Sequence, residues 1–397
     1  MKTQALNIED VRELARRRLP RGIFEYIDRG AEDEVGLAGL RRAFDAVTFN
    51  PRVLADVSGR DLSTTLLGHK QPLPLAIAPT AAAGLVWHEG EIALARASAQ
   101  AGIPFCIATG SITAMETIAA ASTGPLWFQL YMWHERALSY ALIERAWNNG
   151  IETLVLTVDT VASPNREYNT RNGFEIPIRA SLSGGLDMLS HPRWVWQVLL
   201  RYIRSGSIPT YQHYPSSFRS KITRKATWEQ VRLTDSLTWQ DLRELRQRWR
   251  GKLILKGVLR ADDARKAADA GVDAIVVTSH GARNLDGAVA PIHVLPAIAD
   301  AVGERIEIIA DSGVRRGSDI LKLLALGADA VMIGRAALYG TAAAGEAGAT
   351  HVLDLLRSEM LAAQGFLGCA SLRELDPSFV NLPSWSGRER SAAFPEA

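Results

Sequence analysis

The sequence predicts a (β/α)8 barrel of the TIM type, and three observations carry the prediction. Eight short apolar runs recur along the chain, helix-like segments separate them, and polar or charged residues stand where most of the runs end. The runs are 73–78, 103–109, 126–132, 153–159, 252–257, 274–279, 306–311 and 330–334. They are near-continuous in apolar residues rather than alternating, as parallel strands covered on both faces must be. The segments between them, such as EGEIALARASAQAG, RADDARKAADAG and GSDILKLLALGAD, have helical spacing and close on glycine. Each right-handed crossover adds a parallel neighbour, and eight such units close a barrel. An open eight-stranded sheet is the competing arrangement. In a barrel, Thr80, Gln129, Tyr131, Asp159, Lys256, His280, Asp311 and Arg335 all fall on one rim, where such folds carry their chemistry.

A barrel fills about 250 residues, so a single barrel domain with additions accounts for residues 1–397. Residues 1–70 read as helices and a short hairpin that close the barrel floor or reach the rim. Residues 178–226 form an insert between strands four and five, far longer than an ordinary connection. It carries eight Lys and Arg side chains against the single acid Asp187, a net +7. Within it, PRWVWQVLLRYIR sets Trp194, Val195, Val198, Leu199 and Tyr202 on one helical face and Arg193, Gln197, Arg201 and Arg204 on the other.

The composition is that of a folded globular chain, 47% apolar and 22% charged, and excludes a disordered or collagen-like class. A net charge of +2 gives no argument for nucleic acid. Cys106 and Cys369 form no disulfide framework, lack metal-ligand spacing and suit a reducing cytoplasm. The N-terminus shows no apolar core of a secretory signal, and no run reaches the roughly 18 apolar residues of a membrane span.

His280, three residues before Arg283, pairs a base with a guanidinium. That suits a substrate carrying both a C–H or O–H proton and a carboxylate. Asp159 could hold the imidazole in one tautomer. ADSGVRRGSD and IGRA follow strands seven and eight, where such barrels often bind phosphate. Asp311, Gly313, Arg315, Gly334 and Arg335 would hold a phosphorylated chain there. Lys256, costly to bury unpaired, suits a flavin ring that gains negative charge. Tyr26 and Tyr131 could donate to a substrate oxygen. No G-x-G-x-x-G or P-loop motif is present. On these residues alone a flavin-free phosphate-binding isomerase or lyase stays open.

Taken together, LPRGIFEYIDRGAEDE, LAIAPTA, WFQLYM, LTVDT followed by Arg166, LKGV, SHGARNLDG, DSGVRRGSD and IGRA resemble the FMN-dependent 2-hydroxy acid dehydrogenase and oxidase family, from Ile8 to Leu375. Within that family the resemblance is nearest to the (S)-mandelate dehydrogenases. It implies His280 as the base, Asp159 as its partner, and Arg166 and Arg283 as the carboxylate clamp. Tyr26 and Tyr131 would contact the substrate, and Lys256 would stabilise reduced FMN. Ala78, Pro79, Thr80, Ala81, Ala108, Gln129, Thr157 and Thr278 would surround the flavin ring. Asp311, Gly313, Arg315, Gly334 and Arg335 would hold the ribityl phosphate.

The chain departs from the family pattern in places. Thr278 and Ser279 replace the usual Ser-Asn before the histidine, which is expected to loosen that loop. Ala108 stands where a serine is common. Gly110 replaces a bulky aromatic residue and is expected to admit an aryl side chain. HPRWVWQV resembles the segment that attaches mandelate dehydrogenases and quinone-linked lactate dehydrogenases to the bacterial inner membrane. The implied protein is therefore a homotetrameric (S)-2-hydroxy acid dehydrogenase on the cytoplasmic face of that membrane, with quinone as acceptor. Trp194, Trp196 and Tyr202 are expected to rest on the anionic surface, with a buried amphipathic helix or a flexible active-site lid as the alternative. Ala81, where membrane-linked members often have glycine, points instead toward an oxygen-using oxidase.

Overall fold

The computed structural model describes residues 5–174, 182–206, 209–219 and 229–383. Eight parallel strands close into the expected barrel: β1 Leu75–Ile77, β2 Phe105–Ala108, β3 Leu126–Leu130, β4 Thr153–Thr157, β5 Lys252–Val258, β6 Ala274–Val277, β7 Glu307–Ala310 and β8 Ala330–Ile333. The ring closes where Val331 of β8 pairs with Leu75 of β1. Seven strands stop one or two residues before the apolar runs do. The exception is β5, which continues to Val258 and so holds Lys256 within the strand rather than at its end. Its register shifts between Lys256 and Val258, around Gly257 at φ +124°. A Cβ there would stand 2.9 Å from the Cβ of Asp159, so glycine lets the bulge and the acid sit side by side.

The two-residue period of a strand sorts its side chains. Ala76, Cys106, Trp127, Val155, Ile254, Val276, Ile309 and Met332 form one buried cluster inside the barrel. Their neighbours, such as Leu75, Ile77, Ile107, Leu154 and Leu255, join the larger core beneath the helices. Counting two residues on from the inner set gives Ala78, Ala108, Gln129, Thr157, Ile254's successor Lys256, Thr278, Asp311 and Gly334. The same alternation that packs the core therefore aims these residues at the rim.

The N-terminal region does both things expected of it. The hairpin of Thr64–Leu66 and His69–Gln71 closes the floor. Leu66 and Leu67 plug the interior, and the Leu67 N–H donates to the Glu307 carboxylate at 2.7 Å. Helix Arg21–Asp28 instead leads to the rim, where the Ala31 N–H donates to the Ala282 carbonyl at 2.8 Å.

In the insert, helix Leu182–Ser190 precedes a helical stretch from Pro192 to Arg204. The amphipathic reading holds, but the apolar face is turned inward. Trp194 donates through Nε1 to the Leu85 carbonyl at 2.8 Å, Tyr202 donates to the Gly84 carbonyl at 3.2 Å, and Val198 is buried. Trp194 and Tyr202 thus seat the helix on the loop after β1, where their polar atoms find partners, and do not face outward as expected. Trp196 stays exposed, with Leu186, Leu189 and Ile203. Arg179, Lys221, Arg224 and Lys225 lie outside the described residues. No helix among the described residues is long and apolar enough to cross a membrane.

Candidate active site

A cavity of about 290 Å3 opens at the C-terminal rim. Ala78, Pro79, Thr80, Ala81, Ala108, Gly110, Gln129, Thr157, Lys256, Asp311, Gly313, Gly334, Arg315 and Arg335 line it, together with Tyr26, Tyr131, Arg166, His280 and Arg283. Asp159 and Thr278 stand behind this lining.

His280 and Asp159 are brought together from the ends of β6 and β4. His280 Nδ1 lies 2.8 Å from Asp159 Oδ1. This bond favours the tautomer with hydrogen on Nδ1 and leaves the Nε2 lone pair free to accept a proton. Burial pulls the imidazole pKa below its ordinary value, against the opposing pull of Asp159. Burial also opposes charge on Asp159, but His280 and Lys256 prevail and hold its pKa low. The pair is accordingly a neutral base beside an ionised carboxylate at neutral pH.

The loop that carries His280 is strained and firmly tied. His280, Gly281 and Ala282 have φ of +55°, +63° and +55°, a region that costs a side-chain-bearing residue about 1–3 kcal/mol. A Cβ on Gly281 would lie 2.5 Å from Arg335 NH1, so glycine also admits that guanidinium. At Ser279, where loss of the asparagine is expected to loosen the loop, hydroxyl groups hold the backbone. The Ser312 hydroxyl accepts from the N–H groups of Ser279 (3.3 Å) and Gly281 (3.0 Å), and the Thr278 hydroxyl accepts from that of His280 (2.9 Å). Backbone donors held by two hydroxyls replace the missing asparagine.

Cations run across the rim. Arg166 spends Nε and NH2 on the Arg283 carbonyl at 3.0 and 2.9 Å, which fixes its plane. Arg283 and Arg335 both donate to the Arg29 carbonyl, at 2.9 and 3.1 Å. Burial, then repulsion from Arg283 and Arg315, brings the Arg335 pKa down to about 10. Burial and Arg283 lower that of Arg166 as well. Like charges crowded in this way favour bound anions.

Inside the cavity, Lys256 is buried. Its Nζ lies 3.1 Å from Asp311 Oδ2 and donates to Thr278 Oγ1 at 3.2 Å. Burial disfavours the ammonium, but Asp311 and Asp159 outweigh it and raise the pKa. Four buried polar atoms on residues of the cavity wall have no partner among the described residues: Thr80 Oγ1, Gln129 Nε2, Thr157 Oγ1 and Arg335 Nε. Each such atom is costly unless a bound molecule satisfies it.

A model of the FMN-dependent dehydrogenase family matches residues 15–382. The chain belongs to that family. Its cofactor is FMN, which removes the flavin-free isomerase or lyase reading. The chain is 40% identical over 380 residues to (S)-mandelate dehydrogenase of Pseudomonas putida, covering 96% of this chain and 95% of that one. It is 39% identical over 368 residues to L-lactate dehydrogenase of Pectobacterium atrosepticum, covering 92% and 94%. The crystal structure of the monotopic membrane protein (S)-mandelate dehydrogenase superimposes with a TM-score of 0.90 at 39% identity, covering 96% of this chain and 100% of that one. This FMN-dependent dehydrogenase has a rim that fits its cofactor. The orphaned hydroxyl and amide groups match a ring bearing carbonyl and nitrogen atoms, and the arginines match its phosphate.

Sequence reasoning missed several wall residues. Thr160 and Asn284 line the cavity beside Asp159 and Arg283, and both lay within segments singled out for their neighbours. Ser312 was hidden by its ordinary type; its φ of +78° marks it only in the structure. Leu233 reaches the cavity because the chain returns from the insert to bridge onto Trp133. His213, from the end of the insert, packs on Phe128 and donates from Nδ1 to the Ala108 carbonyl at 2.9 Å. Burial, then Arg145, holds its pKa down at about 4, so it stays neutral.

Proposed function

We propose that the protein oxidises an (S)-2-hydroxy acid with an aryl side chain, mandelate or a close relative, to the 2-keto acid, and passes the electrons to a membrane quinone. The observation that carries the substrate reading is Gly110 on the cavity wall. A Cβ on Gly110 would stand 3.0 Å from the Ala81 Cβ and 3.9 Å from a ring carbon of Tyr211. Ala81 and the Tyr211 ring already border the space that a side chain at 110 would take, so glycine keeps this wall from closing further, and the ring offers apolar contact to a phenyl group. The likeness to the Pseudomonas enzyme supports the same reading.

In this proposal Arg166 and Arg283 hold the substrate carboxylate, and Tyr26 and Tyr131 orient its oxygens. His280 takes a proton from the hydroxyl or from Cα through Nε2, and Asp159 stabilises the imidazolium that results. Ala78, Pro79, Thr80, Ala81, Ala108, Gln129, Thr157 and Lys256 would hold the flavin ring, with Thr278 behind Lys256. Asp311, Gly313, Arg315, Gly334 and Arg335 would hold the ribityl phosphate. FMN supplies a two-electron acceptor. In anaerobic stopped flow, (S)-mandelate is expected to reduce FMN faster than L-lactate does. The opposite order would favour the second reading, an L-lactate dehydrogenase, which the likeness to the Pectobacterium enzyme supports. Reoxidation by a quinone analogue is expected to outpace reoxidation by oxygen; the reverse would make the protein an oxidase.

Attachment to the membrane rests on Leu186, Leu189, Trp196 and Ile203, exposed beside Arg193, Arg201 and Arg204. A cytoplasmic-face location and a homotetramer belong to the same proposal through the family resemblance. Replacing Leu189 and Trp196 together with Ser is expected to abolish pelleting with anionic vesicles and to leave flavin reduction intact. Undiminished pelleting would overturn the assignment. These exchanges are cleaner than deleting residues 178–226, which would also strip Trp194, Tyr202 and His213 from the barrel.

A further inference from the structure

The loops after β4 and β6 meet at two side chains, Thr160 and Asn284, to which nothing above gives a role. Asn284 uses both ends of its amide. Its Nδ2 donates to the Asp159 carbonyl at 2.9 Å and to Thr160 Oγ1 at 2.8 Å, and its Oδ1 accepts from Arg166 NH2 at 3.4 Å. Thr160 Oγ1 in turn donates to Asp159 Oδ1 at 3.3 Å. Two short side chains thereby touch the residue that orients the base and a residue of the carboxylate clamp. Asn284 reaches both of them from the separate loop after β6.

We propose that Thr160 and Asn284 are a positioning pair that fixes Asp159 and Arg166 as one unit, so that the substrate carboxylate and the proton acceptor are set at a constant separation. The proposal rests on the roles given above to Asp159 and Arg166. The geometry is demanding. An amide has two N–H donors and one carbonyl, and all three functions are taken here. Asp lacks the donors, Ala lacks everything, and Gln moves the amide outward by a methylene. Among the described residues Arg166 is otherwise hydrogen-bonded only to the Arg283 carbonyl, so loss of Asn284 frees it to tilt. Misplacement by about 1 Å at a reacting centre costs on the order of 100-fold in rate.

The test compares Asn284→Ala, Thr160→Val and Thr160→Ser with Asp159→Asn in anaerobic flavin reduction over a range of pH. N284A and T160V are expected to keep FMN and to reduce it about 10- to 100-fold more slowly at saturating substrate. T160S, which retains the hydroxyl, is expected to recover most of the rate lost in T160V. In N284A a less well aligned Asp159 supports the imidazolium less, so the acid limb of the rate profile should move to lower pH. The loss in the D159N/N284A double variant should be smaller than the product of the single losses. A wild-type rate and limb in N284A, beside an impaired D159N, would overturn the proposal. So would a loss of FMN or of folded protein with an unmoved limb, which marks a merely structural contact. A wild-type rate in D159N itself would overturn the role of Asp159, and the pair with it, and is recognisable from that variant alone.

Discussion

Exchange of His280 for Ala is expected to leave FMN bound and to slow its reduction by about 10²- to 10⁴-fold, the usual worth of a positioned base. The imidazole stands in the cavity wall with Nδ1 committed to Asp159, so Nε2 is the atom left to take a proton. Because residue 280 has φ +55°, Ala also carries backbone strain. His280→Asn is the companion variant, since asparagine tolerates the left-handed region and cannot act as a base. Both should show the flavin spectrum of the parent. The pH dependence follows from the sign of the shift. A pKa pulled below 6.5 leaves the imidazole neutral above that pH. The rate in the wild-type protein should therefore fall along an acid limb centred below pH 6.5 as His280 is protonated. A limb that persists unchanged in H280N would assign the titration to another group.

The second large effect is on stability. Lys256→Met should destabilise the protein by about 3–5 kcal/mol, because it strands the buried Asp311 carboxylate without its cation. Its cost should show as a lower denaturation midpoint and a reduced FMN content. Lys256→Met combined with Asp311→Asn removes both charges and should recover much of the stability while FMN content stays low. A single variant as stable as the parent would show that the pair is solvated or otherwise compensated.

How far the sequence discloses this arrangement depends on which residues are local. Strands buried on both faces are near-continuous in apolar side chains, so all eight are visible, and their ends are misplaced by only a residue or two. The Lys256–Val258 stretch escaped because its extension depends on a bulge at Gly257 that packs against Asp159, a contact between two strands. His280, Asp159, Lys256 and the arginines were legible because a charged residue at the end of an apolar run has few structural reasons to be there. Thr160, Asn284 and Ser312 were not, since such residues are common in loops and gain meaning only from partners distant in the chain. The insert shows the same boundary. Its periodicity gave the correct apolar face, but nothing local said that Leu85 and Gly84 would receive Trp194 and Tyr202.

The central claim is that this rim binds a 2-hydroxy acid by its carboxylate and removes its proton at His280 while FMN takes the electrons. It is tested most directly by mixing the holoprotein anaerobically with (S)-mandelate and following the flavin band at about 450 nm. The band should bleach with (S)-mandelate, persist with (R)-mandelate, and bleach far more slowly with (S)-mandelate in H280N. Persistence of the band with (S)-mandelate and with every other 2-hydroxy acid in the wild-type protein would contradict the account.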